Sequence, residues 1–114
     1  MTILNDTITD RTVTTFRVDI HIAGSRAAAT EACREFCLRG LCVSIADEDF
    51  VYSGGAEAGV RIGLINYPRF PKPSHEIVDT ALDLARFLIE RLHQQSCCVV
   101  DDDGTTWLSR RSWT

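Results

Sequence analysis

Histidine and cysteine are the residues of this chain whose chemistry could support catalysis. His21 follows Asp19 by two positions in an alternating segment, so that carboxylate could orient the imidazole as a general base. Cys42 is the one nucleophile that we can pair with His21, provided that their strands are adjacent. The favoured interpretation is that His21 and Cys42 are ordinary polar residues on the surface. We therefore predict no catalytic residue, with His21 and Cys42 as the candidates if the protein is an enzyme.

The spacing of the five cysteines does not favour a metal site. Cys33 and Cys37 are one helical turn apart and lie on the apolar stripe of a predicted helix, where free cysteine is usually buried. The sequence has no CxxC motif and no histidine at a zinc-finger spacing. We predict neither a metal nor a cofactor. The odd cysteine number and the lack of a secretion signal at the N-terminus predict a cytoplasmic protein.

The segment Tyr67–Pro73, YPRFPKP, is the least ordinary stretch, and we call it the proline loop. Its three prolines restrict φ and lower the entropy lost on binding, while Tyr, Arg and Phe are enriched at interface hot spots. The alternative is that its aromatic side chains pack the crossover onto the helices. The predicted binding residues are Tyr67, Arg69, Phe70, Lys72 and Phe87, the last on the polar side of the following helix.

Two acidic clusters could form a surface that imitates the charge of a nucleic acid. They comprise Asp47, Glu48 and Asp49, and Asp101, Asp102 and Asp103. Neither has the spaced oxygen ligands of a calcium loop. Acidic runs at turns are also commonly just solvated, and this simpler interpretation stays open.

The bulk composition is that of one globular domain. The chain has 114 residues, of which 45% are hydrophobic and 25% charged. Residues 1–11 are polar and predict a flexible lead-in, followed by one domain over 12–114. The net charge of −4 disfavours direct nucleic-acid binding, and no apolar run is long enough for a membrane span.

The hydrophobic pattern predicts the element order strand–helix–strand–strand–helix–strand. Strict alternation at 16–22 predicts a strand, and Ser25 is a suitable N-cap for a helix that ends before Gly40. A second strand from Leu41 is expected to bend at 46–49, and SGGAEAG is expected to be a turn. Ser74 is the predicted N-cap of the longest helix. A closing hairpin is expected around a four-residue loop, 101–104, with Gly104 at positive φ.

This order is that of an α+β, ferredoxin-like (split βαβ) two-layer sandwich. Its antiparallel sheet would carry two helices on one face and an extra strand from the C-terminal hairpin. The other face would carry small and charged residues over which a second copy could pack, so we predict a homo-oligomer. The residues predicted on this face are Arg17, Asp19, His21, Ser44, Arg61 and Gly63.

Three functional hypotheses follow from the sequence. The first is a non-enzymatic, oligomeric binding or regulatory module that presents the proline loop to a protein or small molecule. The second is a small acidic inhibitor, as mobile elements often encode, that blocks the nucleic-acid site of another protein. The third is a small enzyme that uses His21. No membrane partner is expected for any of them.

Overall fold

The computed structural model describes residues 7–111, and it confirms the predicted ferredoxin-like fold. Its strands form one antiparallel sheet in the order β2-β3-β1-β4-β5, with β5 as the predicted extra strand. The elements are β1 (Arg17–Ala23), α1 (Arg26–Phe36), β2 (Ser44–Tyr52), β3 (Gly55–Ile65), α2 (Ser74–Arg91), β4 (Ser96–Asp101) and β5 (Gly104–Ser109).

Both helices cover one face of the sheet, and the core lies between the two layers. The inward positions of β1 are fully buried, as the alternation predicts. The largest fully buried side chains are Val18, Ile20, Ile22, Val60, Ile62, Leu64, Leu84, Leu88 and Val99. The opposite face, which we call the open face, has no covering layer within residues 7–111.

The helix boundaries follow local capping chemistry. The Ser25 hydroxyl accepts a hydrogen bond from the Ala28 N–H at 3.2 Å, as expected for an N-cap. After α1, a 3-10 turn over Cys37–Arg39 ends at Gly40, whose φ of 94° is left-handed. The N-cap of α2 differs from the prediction. Pro73 occupies that position in an extended conformation, so Ser74 is already the first helical residue.

The predicted bend at 46–49 is absent, because β2 runs unbroken to Tyr52. A two-residue turn at Ser53 and Gly54 (φ 82°) joins it to β3, which starts at Gly55 rather than after the glycine-rich segment. Acidic residues are poor strand formers, but here β2 pairs with β3 over nine positions, of which three are acidic. Tertiary pairing therefore overrides the local preference for a bend.

The C-terminal hairpin closes differently from the predicted four-residue loop. The Asp101 carboxylate accepts hydrogen bonds from the N–H groups of Asp103 (2.7 Å) and Gly104 (3.2 Å). This side chain closes a two-residue turn, so Gly104 is the first residue of β5 and has no positive φ. A short carboxylate that binds nearby backbone N–H groups thereby replaces the glycine conformation that we expected.

The ends of the chain are described only in part. Of the predicted lead-in, residues 1–6 lie outside the described range, and residues 7–16 have no regular secondary structure. Residues 112–114 also lie outside it. Across 7–111, neither helix is long and apolar enough to cross a membrane.

Candidate functional site

The proline loop forms one side of a cleft of about 540 Å³, which we call the loop cleft. Its other walls come from the connection between α1 and β2, from the end of β3, and from the first turns of α2. The volume lies within the range of about 300–1,000 Å³ that is typical of small-molecule sites. The cleft is therefore large enough to hold a ligand of nucleoside size.

Asn66 holds the proline loop to the end of the sheet. Its backbone N–H donates to the Phe16 carbonyl at 2.8 Å, and its side-chain amide donates to the Thr14 carbonyl at 2.8 Å. Its Oδ1 accepts from the Lys72 N–H at 3.0 Å, which closes the loop on itself. This role of Asn66 was not predicted from the sequence, although an asparagine at the start of a loop often hydrogen-bonds nearby backbone groups.

Two aromatic rings of the loop lie against each other at the cleft. The ring centroids of Tyr67 and Phe70 are 6.3 Å apart, and their planes differ by 24°. The Phe70 N–H donates to the Tyr67 carbonyl at 2.9 Å, so a tight turn sets this arrangement. Tyr67 is 43% exposed and Phe70 62% exposed. This exposure favours a contact role over packing against the helices.

The charged side chains that line the loop cleft are all cationic. Arg69 lies 5.4 Å from the centroid of the Phe70 ring, and Lys72 follows it on the same wall. Among the described residues that line the cleft there is no carboxylate. A cleft that joins exposed aromatic rings to cations suits a ligand with a planar ring and an anionic group.

The two thiols of the loop cleft differ in exposure. Cys42 is exposed, whereas Cys37 is half-buried and burial raises its pKa. Cys33 is buried, as predicted, and desolvation raises its pKa to about 11. Cys42 lines the loop cleft and His21 lines a different one, so the structure does not bring the predicted nucleophile–base pair together in one site.

A second cleft, of about 490 Å³, lies on the open face and contains His21. The His21 Nδ1 lies 2.7 Å from the Glu48 Oε1, whereas Asp19 is 3.5 Å from Arg17. The carboxylate that orients His21 is therefore Glu48 and not Asp19. Glu48 is on β2 and His21 on β1, so this contact crosses β3, where Glu48 is paired with Gly59. We call this the open-face cleft.

The remaining predicted oligomer-face residues lie where the sequence placed them. Asp19, Gly63 and Ser44 occupy one cross-strand row, and His21 and Arg61 face each other in the next. Together with Arg17, two positions before Asp19, they lie on the open face. The shared face is thus an observed feature, while association through it stays a prediction.

The acidic cluster of β2 is divided between the two faces of the strand. Asp47 forms an ion pair with Arg26 at 2.8 Å, whereas Glu48 contacts His21 on the open face. Asp49 is exposed. Asp101, Asp102 and Asp103 lie in the β4–β5 turn at the far edge strand of the sheet. The two clusters are therefore at opposite sides of the sheet rather than in one patch.

Phe87 does not lie on the polar side of α2, as the sequence analysis predicted. It is half-buried and its ring centroid lies 5.6 Å from that of Phe36 on α1. The Arg91 guanidinium covers it at 4.3 Å. The prediction used only the apolar stripe of α2 on a helical wheel. In the structure α1 also packs against α2 outside that stripe. Phe87 joins the two helices.

The fold closely resembles that of an enzyme. A phage SAM lyase in its apo state superposes with a TM-score of 0.76 at 14% identity, covering 95% of this chain and 100% of that one. A phage SAM lyase in complex with S-methyl-5′-thioadenosine gives a TM-score of 0.72, also at 14% identity, with 96% and 99% covered. No protein-family model and no curated protein sequence matches the chain.

This likeness contradicts the first functional hypothesis. The proposed non-enzymatic module was inferred from the lack of a recognisable catalytic motif, yet the full-length structural neighbours are lyases. The inference failed because it took nucleophile–base and metal motifs as the only signs of an enzyme. The acidic-inhibitor hypothesis is non-enzymatic too, and the same finding counts against it.

Proposed function

We propose that this protein is a lyase that cleaves S-adenosylmethionine (SAM), or a closely related sulfonium nucleoside, in the loop cleft. The observation that carries the proposal is the likeness to phage SAM lyases over the full length of both chains. The cleft supports it independently. It is of suitable volume and combines exposed aromatic rings with cationic groups.

The chemistry of the ligand matches the groups that line the cleft. SAM has an adenine ring, which stacks well on aromatic side chains, and an α-carboxylate, which binds Arg and Lys. In our proposal Tyr67 and Phe70 hold the adenine, while Arg69 and Lys72 hold the carboxylate. The distance between rings and cations along one short loop keeps the two ends of the substrate in a defined relative position.

The proposed reaction breaks the bond between the sulfonium sulfur and the four-carbon amino-acid chain. The bonding electron pair goes to sulfur, which becomes the neutral thioether of S-methyl-5′-thioadenosine. The carbon that leaves sulfur bonds to the substrate's own carboxylate oxygen, which closes a lactone. This route balances without added water and without a protein base, so positioning and solvent exclusion suffice for the protein's part.

The direct test is to incubate the purified protein with SAM and follow S-methyl-5′-thioadenosine by chromatography with mass detection. A protein-free sample measures the uncatalysed breakdown of SAM. We expect product formation in proportion to the protein concentration. Product at the protein-free rate, over a range of protein concentrations and pH, would refute the proposal.

Two variants decide which cleft carries the reaction. The double variant Tyr67→Ala/Phe70→Ala removes the aromatic surface of the loop cleft, and His21→Ala removes the imidazole of the open-face cleft. We expect the first to lose turnover and the second to keep it. The reverse result would place the reaction in the open-face cleft and favour the hypothesis of an enzyme that uses His21.

We also propose that two or more copies associate through the open face. This face carries cationic Arg17 and Arg61 beside acidic Asp19, Glu48 and Glu57, so it is electrostatically self-complementary. It also exposes Trp107, which is 43% accessible. A surface with both charge signs and an exposed aromatic ring fits a second copy of itself.

A further inference from the structure

Two thiols lie on one wall of the loop cleft, on either side of a chain reversal. Cys37 caps the C-terminus of α1, and Gly40 turns the chain in a left-handed conformation. The Leu41 N–H donates to the Cys37 carbonyl at 3.2 Å, which folds the chain back over the helix end. Cys42 follows at once, so the reversal returns the chain to the vicinity of Cys37.

The backbone hydrogen bonds of the reversal and the shared cleft place the two residues near each other. The Gly40 and Leu41 N–H groups both donate to the Cys37 carbonyl, at 2.9 and 3.2 Å, and Cys42 follows Leu41 directly. Both cysteines line the same cleft. Disulfides need Cα atoms within about 7 Å and side chains that can turn toward each other. The chain reversal brings the two residues to one wall of the cleft, and Cys42 is exposed, so its side chain can turn toward Cys37.

The five cysteines differ in their access to a reagent. Cys42 is exposed in the cleft that the cations Arg69 and Lys72 also line. Cys33 and Cys97 are buried, and desolvation raises their pKa values to about 11 and about 12, so they stay protonated and unreactive. Burial also raises the pKa of Cys37. Cys42 is therefore the thiol that an anionic reagent in this cleft meets first.

We propose that Cys42 and Cys37 form a thiol–disulfide switch in the wall of the loop cleft, in which Cys42 reacts first with a low-molecular-weight disulfide and Cys37 resolves the adduct. We further propose that oxidation and ligand binding exclude each other, because a nucleoside in the cleft covers Cys42. This second part rests on the proposed function, whereas the first does not.

The chemistry is two successive thiol–disulfide exchanges. The Cys42 thiolate attacks one sulfur of the small disulfide, forms a mixed disulfide and displaces the first small thiolate, which takes up the proton that Cys42 lost. The Cys37 thiolate then attacks the Cys42 sulfur and displaces the second small thiolate, which is protonated in turn. The protein gains one S–S bond and loses two hydrogen atoms, while the small disulfide is reduced to two thiols.

The first test uses oxidised glutathione as the probe and intact mass as the readout. We expect the wild-type protein to lose two hydrogen atoms, with a Cys37–Cys42 crosslink in the peptide map. Cys37→Ser should stop at a stable glutathione adduct on Cys42, and Cys42→Ser should stay reduced at these positions. Cys37→Ala serves as a second variant if the serine perturbs the helix end.

Three results would overturn the switch. These are a wild-type protein that stays reduced, a wild-type adduct that persists as it does in Cys37→Ser, and modification that maps to Cys98 in the open-face cleft instead. Cys98 is half-buried and shares no cleft with Cys42, so it is the internal reference for non-selective reaction.

The second test measures the rate of Cys42 modification with and without S-methyl-5′-thioadenosine. We expect the ligand to slow modification of Cys42 and to leave Cys98 unchanged. If calorimetry shows binding but Cys42 reacts at the same rate, the mutual exclusion is wrong and the ligand lies elsewhere. If calorimetry shows no binding, the proposed function fails together with the exclusion, while the glutathione result still decides the switch.

Discussion

Tyr67 and Phe70 lie with their rings 6.3 Å apart and inclined by only 24°, on the wall of a cleft that could hold a nucleoside. Replacing either ring by alanine should weaken the affinity for S-methyl-5′-thioadenosine. Removal of a stacked aromatic ring costs about 1–3 kcal/mol per base, or roughly 5- to 150-fold in Kd. Isothermal titration calorimetry measures the change.

Tyr52 provides the matched control for this substitution. It is a tyrosine of similar exposure, 55%, but it lies at the tip of the β2–β3 hairpin and does not line the loop cleft. Tyr52→Ala should leave the affinity unchanged. If it weakens binding as much as Tyr67→Ala does, the aromatic pair is not the adenine site.

The cations of the loop cleft should distinguish SAM from its thioether product. SAM has a carboxylate, and S-methyl-5′-thioadenosine has none. Arg69→Gln and Lys72→Gln should therefore weaken SAM binding, by about 1.5–3 kcal/mol for each charge-assisted hydrogen bond that is lost. Binding of the thioether should change little.

Competition between the two ligands, measured by equilibrium dialysis, gives this difference directly. Arg86→Gln is the control, since Arg86 is exposed on α2 and pairs with Asp83 at 3.5 Å. An equal loss of affinity for both ligands in the Arg69 and Lys72 variants would show that these residues maintain the loop rather than bind the carboxylate.

Association through the open face should depend on its two arginines. The double variant Arg17→Glu/Arg61→Glu places like charges beside Asp19 and Glu48, and repulsion should dissociate the oligomer. Size-exclusion chromatography with light scattering over a range of concentrations measures the mass. A double variant that elutes like the parent at every concentration would show that this face is not the interface.

The stability of the protein should respond differently to alanine at Gly59 and at Gly104. A methyl group at Gly59 would overlap the Ile22 carbonyl oxygen and the Phe50 ring, whereas at Gly104 it would meet nothing within 4 Å. Neither residue has a positive φ. Overpacking of a tight site costs about 1–3 kcal/mol, so Gly59→Ala should lower the free energy of unfolding by that amount.

Urea unfolding measures the free energy of unfolding of both variants. Gly104→Ala should be close to neutral, since exposed substitutions away from special features stay within about 0.5 kcal/mol. Equal stabilities for the two variants would show that the close approach at Gly59 relaxes freely.

The ion pair between Glu35 of α1 and Arg91 of α2 should make stability depend on pH and salt. The hydrogen bond to Arg91 lowers the pKa of Glu35 below its ordinary value of 4.5. A carboxylate with a lowered pKa in the folded state stabilises the fold above its unfolded pKa. That contribution is lost as the pH falls through the folded value. Both side chains are exposed, so the effect is small and salt weakens it.

The thermal unfolding midpoints of the wild type and Glu35→Gln should therefore differ at neutral pH and converge well below pH 4.5. Glu31→Gln is the control, because Glu31 makes only a 3.4 Å contact within α1 and does not join the helices. A Glu35→Gln difference that persists in acid would show that its origin is not the charge pair.

Local chemistry accounts for the parts of the fold that could be predicted. Alternation in β1 gave its buried face, Ser25 and Gly40 marked the ends of the first helix, and the order of elements gave the ferredoxin-like topology. These features depend on interactions between residues close in sequence, so a short stretch of sequence is enough to predict them. The unbroken β2 was not predictable in this way, because pairing with β3 overrides its acidic residues.

For the candidate site, the sequence was enough to identify the proline loop with its aromatic and cationic side chains. It also placed the open-face residues on one side of the sheet. Three features became visible only in the folded chain: this loop encloses a cleft, Glu48 rather than Asp19 contacts His21, and Phe87 packs on Phe36. Periodicity and turn chemistry act between near neighbours, whereas a cleft and a cross-strand contact arise where distant segments meet.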